Sequence, residues 1–436
     1  MSRILIEGGN PISGEVHIGG AKNAALPIMA ASILCEEPIT LSNIPYLNDI
    51  ETMEKVLKAL GAKTKRHPNG DFLLDCGSGI KEEAPYELVK AMRASFFVMG
   101  PLLSRLKRAR IPLPGGCAIG VRPVNIHLKG FEALGATVSI EAGCAVAIAE
   151  KLRGTRVVLD FPSVGATENL MMAATLAEGT TTIENAAQEP EIMDLADFLN
   201  AMGGVVKGAG SPCIVIEGVK KLRGTSYRII PDRIDGGTFM VLGALTGGPI
   251  IVDPCISSHQ TGVIAKLREM GASIEMDGTK AVVRRTERLR PVEIKTLPFP
   301  GFPTDMQPQF MVAMCIANGA SLITETVFEN RFMHVAELVR MGASLTIRDR
   351  TVVINGVEKL IGAPVSASDL RAGAAMVLAG LAAEGNTEVG NVYHIDRGYE
   401  DLVGRLVRIG AQIKRVEGNN TQNDNHREVI YDRSRP

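Results

Sequence analysis

One cysteine of this chain stands in a loop made for close approach: Pro114-Gly115-Gly116-Cys117-Ala118-Ile119-Gly120-Val121-Arg122-Pro123. Glycines let such a loop come near a ligand, and a cation five residues after the sulfur favours the thiolate, the form that reacts. The alternative is an incidental thiol used as a small apolar filler, and spacing alone does not name a reaction. The other six cysteines, at 35, 76, 144, 213, 255 and 315, fall in apolar helices, strands or their ends; Cys35 and Cys315 read as core filler.

Charges recur at a second kind of place. Lys22, Arg93, Asp235, Asp305 and Arg371 each stand at or near the start of a Gly/Ala-rich apolar stretch, with Gly165 in the same place of the remaining one. A buried helix carries a charge only at an end that reaches solvent or a ligand. Lys or Arg beside the free N–H groups of a helix start makes an anion site, whereas Asp there caps the helix or does chemistry. For Asp235 and Asp305 both readings stand. Phe302-Pro303-Thr304-Asp305 sets a rigid turn beside two candidate caps. For Lys22 and Arg93 the alternative is a solvated rim charge. Arg331, Arg371 and Arg397 form a further basic set in Gly- or Asn-flanked turns and helix starts, suited to bidentate capture of phosphate or carboxylate. A structural ion pair is the competing role, for Arg397 with its neighbour Asp396.

The elements that must position these residues repeat. Gly61, Gly135, Gly203, Gly271, Gly342 and Gly410 each end a helix-like stretch, at spacings of 74, 68, 68, 71 and 68 residues. The chain is therefore six copies of one unit of about 70 residues. Each copy predicts a buried helix, as in Ala24–Ala31, then a β-branched strand such as Thr180–Ile183. An amphipathic helix follows, with Leu195, Phe198, Leu199 and Met202 on one face, closed by a glycine cap. Two short strands end the copy, for example Ser273–Met276 and Ala281–Arg285 about an Asp277-Gly278 turn. Pro27 places the start of the first buried helix close to Asn23. Helices enclosed by strands predict an α/β fold of two three-copy domains, helices inside and sheets outside. The linker falls near Ile229–Ile234, and the tail after Val416, rich in Asn, Asp, Arg and Gln, reads as disordered.

Bulk properties narrow the function. A chain of 436 residues exceeds what one core supports. A net charge of -1 and the lack of a basic run argue against nucleic acid and anionic membrane as partners, and 4% aromatics without tryptophan argue against base-stacking platforms. No CxxC pair suggests a disulfide framework or zinc knuckle, and neither a Walker A nor a GxGxxG sequence occurs. The start, Met1-Ser2-Arg3-Ile4-Leu5-Ile6-Glu7, meets charge before a signal-peptide core forms. The uncharged run Met306–Thr324 is interrupted by Gln307, Pro308, Gln309, Asn318 and Gly319 and reads as a core helix. These features predict a soluble, cytoplasmic protein.

Taken in order, several motifs resemble those of the UDP-N-acetylglucosamine 1-carboxyvinyltransferase family of enolpyruvyl transferases. They are Gly20-Ala21-Lys22-Asn23, Met92-Arg93-Ala94-Ser95, the Gly115–Gly120 loop with Arg122-Pro123, and Ser163-Val164-Gly165-Ala166-Thr167. Phe302–Gln307, Glu329-Asn330-Arg331-Phe332, Asp369–Gly373 and Asp396-Arg397-Gly398-Tyr399 complete the set, and the resemblance extends to about Val416. It implies two inside-out α/β barrels that close over substrates: residues 21–230 in one, 1–20 with 231–418 in the other, and 419–436 as tail.

The resemblance also implies the reaction: enolpyruvyl transfer from phosphoenolpyruvate to the 3-hydroxyl of the sugar in UDP-N-acetylglucosamine, with release of phosphate and without a metal or organic cofactor. Lys22, Arg122 and Arg397, with Arg331 and Arg371, then hold the phosphate and carboxylate. Cys117 resembles the general acid, which also attacks C2 to form an adduct, and Asp305 the base at the sugar hydroxyl. Contacts to the sugar nucleotide come from Asn23, Arg93, Arg122, Pro123, Val124, Asn125, Ile126, Ser163, Val164, Gly165, Asp305 and Val327. Two positions depart from the family pattern: Asn125 replaces a frequent Asp, and Phe161-Pro162 precedes Ser163 where some members carry Lys. The rival functions are transfer to shikimate 3-phosphate and a non-catalytic sensor of UDP-N-acetylglucosamine.

Overall fold

A computed structural model of the chain describes residues 2–113, 119 and 124–417. Six helices that are apolar nearly all round have no face suited to water, and they lie in the core. In chain order they are α1 (Lys22–Ala31), α2 (Met99–Leu106), α3 (Val164–Ala174), α4 (Arg233–Thr246), α5 (Gln307–Cys315) and α6 (Leu370–Ala382). Pro27 sits inside α1. Its missing N–H forgoes only the bond to the carbonyl of Asn23, so the helix still begins at Lys22.

The chain divides between Asp232 and Arg233 into two compact units. Residues 19–113 and 124–232 form one, around α1–α3; residues 2–18 and 233–417 form the other, around α4–α6. Each has its own apolar cluster. Among the described residues three sheets belong to each unit.

The fifth copy shows how a sheet is assembled. The strand Ala320–Thr324 pairs antiparallel with the hairpin strand Thr351–Asn355, with Ala320 opposite Asn355. Ser344–Arg348 adds outside the hairpin, and Glu293–Lys295, contributed by the preceding copy, joins in parallel at the other edge. The uncharged run Met306–Thr324 is thus a short helix and a strand. No helix of the described residues is long and apolar enough to cross a membrane.

All six repeat glycines have φ between +86° and +107°, where an L side chain is strained. They let the chain reverse at the helix end: Gly271 N–H reaches Arg268 O and Ala272 N–H reaches Leu267 O, each at 2.9 Å. The predicted apolar face of the helix Pro190–Ala201 is buried, Leu195, Phe198, Leu199 and Met202 alike. One turn is displaced by a residue. Asp277 belongs to the strand and pairs with Lys280, so the loop is Gly278-Thr279, with Gly278 at φ +58° as a two-residue hairpin requires.

The sixth copy ends one strand short. Its strand Gly385–Gly390 would take a hairpin partner, and Arg3–Gly8 occupies that place, with Ile4 opposite Val389 on one side and Arg415 on the other. Gly14–His17 supplies the parallel edge of the sheet containing Ile250–Asp253. Five of the described cysteines, Cys35, Cys76, Cys144, Cys255 and Cys315, are buried; burial pushes the thiols of Cys76 and Cys315 up to about 12 and that of Cys255 to about 11, and raises Cys35. Cys213, by contrast, is exposed on its strand.

Candidate active site

In the unit built on α1–α3, Lys22 opens α1 at the end of an extended segment. Its ammonium donates to Asp49 Oδ2 at 3.2 Å, and its backbone N–H to Asp232 Oδ2 at 3.2 Å. Both side chains of the ion pair are largely enclosed, 12% and 6% exposed, so the pair is a fixed charge array rather than a solvated rim contact. Asn23 follows, half-buried. The turn Arg93–Val98 packs on α1.

A second cluster surrounds the start of α3. Ser163 caps that helix, its hydroxyl accepting from Ala166 N–H at 3.4 Å. Val164 and Gly165 form the first turn. A Cβ on Gly165 would lie 3.3 Å from Phe97 and 3.4 Å from the His127 ring, so this helix start packs closely on both rings. His127 belongs to the helix Asn125–Ala133, whose first residues are the predicted contacts Asn125 and Ile126, with Val124 before them. Arg93 acts on the same ring. Burial, reinforced by the Arg93 charge, pushes the His127 imidazole down to about 3. The structure thus gathers Arg93, Val124–Ile126 and Ser163–Gly165 about one buried histidine.

This histidine carries a testable stability signature. Its Nδ1 meets the Asn169 amide nitrogen at 3.0 Å, so the neutral ring accepts there. The unfolded chain binds the proton more readily than the folded one, so stability is full above the ordinary imidazole range and falls as pH drops from about 6.5 toward 3. Each such group contributes at most about 1.4 kcal/mol per pH unit. His334, lowered by burial to about 4, acts in the same direction. Thermal unfolding of His127→Gln should therefore show a shallower loss between pH 7 and pH 5 than the wild type; equal slopes would remove His127 as a contributor.

In the unit built on α4–α6, Asp305 stands in the turn Thr304–Met306 that leads into α5. Arg331 Nη2 donates to its Oδ1 at 2.7 Å, while Arg371 Nε and Nη2 both donate to its Oδ2 at 3.2 Å. The two arginine side chains are 3% exposed and Asp305 is 27% exposed, so the carboxylate is the part of the cluster that solvent or ligand meets. Asp369 caps α6 by accepting from the N–H groups of Arg371 and Ala372, and the Arg371 guanidinium lies 5.3 Å from the Tyr399 ring centre. Val327 is held by its N–H to Glu325 Oε1 at 2.8 Å. Arg397 ends the turn Val392–Arg397, and burial followed by the Arg397 charge lowers the His394 imidazole.

Several expectations change. Asp305 does not cap α5; it is shared by two arginines. Asp235 lies inside α4 and meets Arg405 in a buried bidentate pair, 2.6 and 3.0 Å, which leaves it neither cap nor free base. Asp396 takes both Arg415 Nη groups at 2.7 Å. Cys117, Arg122 and Pro123 lie outside the described residues. Nothing local in the sequence announces the long-range partners of Asp49, Glu325 and Arg405, which are Lys22, Thr304 and Asp235, 27, 21 and 170 residues away. Among the described residues no three His, Cys, Asp or Glu side chains converge as metal ligands.

Two α/β units, each built around three buried helices with charged residues at or near helix starts, frame the candidate site. A family model described as EPSP synthase (3-phosphoshikimate 1-carboxyvinyltransferase) matches residues 6–406, and the chain belongs to that family of enolpyruvyl transferases. It is 56% identical over 418 residues to UDP-N-acetylglucosamine 1-carboxyvinyltransferase 2 of Carboxydothermus hydrogenoformans, across 95% of this chain and 100% of that one. It is 53% identical over 417 residues to UDP-N-acetylglucosamine 1-carboxyvinyltransferase of Nitratidesulfovibrio vulgaris, again across 95% and 100%. Among solved structures, the enolpyruvyl transferase NikO of Streptomyces tendae superposes with a TM-score of 0.86 at 26% identity, covering 95% of this chain and 98% of that one. EPSP synthase of Acinetobacter baumannii shares the fold, with a TM-score of 0.74 at 20% identity over 96% and 100% of the two chains.

Proposed function

We propose that this chain transfers the enolpyruvyl group of phosphoenolpyruvate to the 3-hydroxyl of UDP-N-acetylglucosamine, a step of peptidoglycan synthesis in the cytoplasm. The observation that carries this reading is identity above half over the full length of transferases bearing that name. EPSP synthase of Acinetobacter baumannii, by contrast, is 20% identical.

Phosphoenolpyruvate brings a phosphate and a carboxylate, and Lys22, Arg122 and Arg397, with Arg331 and Arg371, are the cations assigned to them. Cys117 delivers a proton to C3 as the sugar oxygen bonds to C2, and Asp305 takes the hydroxyl proton. Loss of a C3 proton and departure of phosphate restore the double bond. Two guanidiniums hold the Asp305 carboxylate in one orientation, and that positioning is its principal contribution as a base. Arg93, Asn23, Val124–Ile126, Ser163–Gly165 and Val327 are the contacts assigned to the sugar nucleotide.

The deciding experiment is phosphate release from phosphoenolpyruvate with UDP-N-acetylglucosamine or shikimate 3-phosphate as acceptor. Release only with the first is the expected result. Release only with the second moves the function to the sister reaction, and no release from folded protein favours the sensor.

A further inference from the structure

We infer that Glu325 is a positioning residue for the transfer, aiming Asp305 at the acceptor hydroxyl through Thr304 and Arg331. The inference rests on the assignment of Asp305 as base.

Glu325 is fully buried just beyond the strand Ala320–Thr324. A buried carboxylate persists only if its lone pairs are taken up, and here they are. Oε1 accepts from Thr296 Oγ1 at 2.7 Å, Val327 N at 2.8 Å and Phe328 N at 3.2 Å. Oε2 accepts from Thr304 Oγ1 at 2.8 Å. Arg331 Nη1 donates to that same Thr304 oxygen at 2.9 Å, and Arg331 Nη2 donates to Asp305 Oδ1 at 2.7 Å.

The direction of every proton in this chain is fixed. A guanidinium only donates and a carboxylate only accepts, so the Thr304 hydroxyl must give its hydrogen to Glu325 and offer a lone pair to Arg331. Glu325 thereby sets the hydroxyl, the hydroxyl sets one arm of Arg331, and the other arm sets Asp305. Chains of this kind strengthen one another in a water-poor interior. Glu325 also adds a negative charge close to the nearly buried Arg331 guanidinium, one hydroxyl away through Thr304.

The two carboxylate oxygens divide the work, and that makes the inference testable. Oε1 fastens Thr296 and the Val327–Phe328 turn, a structural task. Oε2 serves the relay to Asp305. In Glu325→Gln the amide carbonyl can keep the first task, while the NH2 group donates where Oε2 accepted. Thr304 can then accept from both donors, but its own hydrogen loses the carboxylate oxygen that fixed it, so the hydroxyl no longer has a set orientation to pass to Arg331 while the anchor stays intact. Thr304→Val breaks it from the other side, and Thr304→Ser keeps the hydroxyl.

Steady-state kinetics and thermal unfolding of these three variants and of the pair Glu325→Gln with Thr304→Val form the test. Misplacement of a reacting group costs up to about 100-fold in rate. Glu325→Gln and Thr304→Val should each lower kcat by about 10- to 100-fold, with KM for phosphoenolpyruvate within about twofold of wild type. The pair should fall no further than the worse single variant, and Thr304→Ser should recover most of the loss. Wild-type kcat in Glu325→Gln overturns the inference, as do additive losses in the pair. If Glu325→Gln does not fold, the threonine variants decide alone: equal kcat in Val and Ser overturns it. Wild-type protein inactive with UDP-N-acetylglucosamine would sink the functional reading before any variant is compared; an active wild type with an unaffected Glu325→Gln removes the positioning role only.

Discussion

Asp305→Ala should lower turnover by about 10²- to 10⁴-fold, the range of a lost general base, while phosphoenolpyruvate binding weakens far less. The arginines explain the asymmetry. Arg331 retains its bond to Thr304, and Arg371 remains fixed above Tyr399, so cations stay in place for an anion. What disappears is the partly exposed oxygen pair that those arginines orient. Two buried guanidiniums also lose their shared counter-charge, and the variant should unfold at a lower temperature. Kinetics must therefore be read on protein shown to be folded, with equilibrium phosphoenolpyruvate binding measured on the same sample. Turnover near wild type would rule out Asp305 as the base and leave it a structural bridge between Arg331 and Arg371.

Asp235→Ala carries the largest expected effect on stability. Asp235 and Arg405 are 8% and 9% exposed and joined by two hydrogen bonds, and the guanidinium rests 4.8 Å from the Phe239 ring centre. Removing the aspartate leaves a nearly buried guanidinium without its hydrogen-bonded counter-charge, with the Glu400 and Asp401 charges still acting on it, which costs about 3–5 kcal/mol. For a cooperative unit of this size that amounts to a fall in Tm of roughly 6–20 °C. Replacing both partners, Asp235→Leu with Arg405→Met, should restore most of the loss, because the desolvation of both charges is then avoided. If Asp235→Ala unfolds within about 1 °C of wild type, the pair contributes nothing measurable and Asp235 needs another explanation.

What the sequence disclosed, it disclosed through local chemistry repeated. The glycine after each amphipathic helix marks a backbone conformation that only glycine takes comfortably, so six copies announce themselves without any tertiary information. Helix starts are equally local, and counting back from the glycines finds Lys22, Asp305 and Arg371 at the start of their helices. The partners of these charges are not local. Asp235 reads as a cap because its ion-pair partner lies 170 residues later, and nothing around Arg405 suggests burial. Glu325 is invisible for the same reason: an acidic residue after a strand looks solvated until Thr296, Thr304 and two backbone N–H groups are found around it. Asp277 reads as a turn residue because Asp-Gly is a strong hairpin signal, yet pairing with Lys280 extends the strand by one residue.

The strand Arg3–Gly8 has a consequence for synthesis. It leaves the ribosome long before either of its partners, because its neighbours are Gly385–Gly390 and Gln412–Val416. The contact of Arg3 with Glu388 spans 385 residues. At 5–20 residues per second that separation is a wait of roughly 20–80 s. During the same interval the unit ending at Asp232 can close on itself, since its last strand, Ser226–Arg228, pairs with Ile39–Ser42 from its own first copy. A growing chain therefore trails an apolar strand, Ile4-Leu5-Ile6, with both edges open beside an already folded unit. That is the period in which an unpaired edge can find a wrong partner, and in which a nascent-chain chaperone has a defined segment to cover.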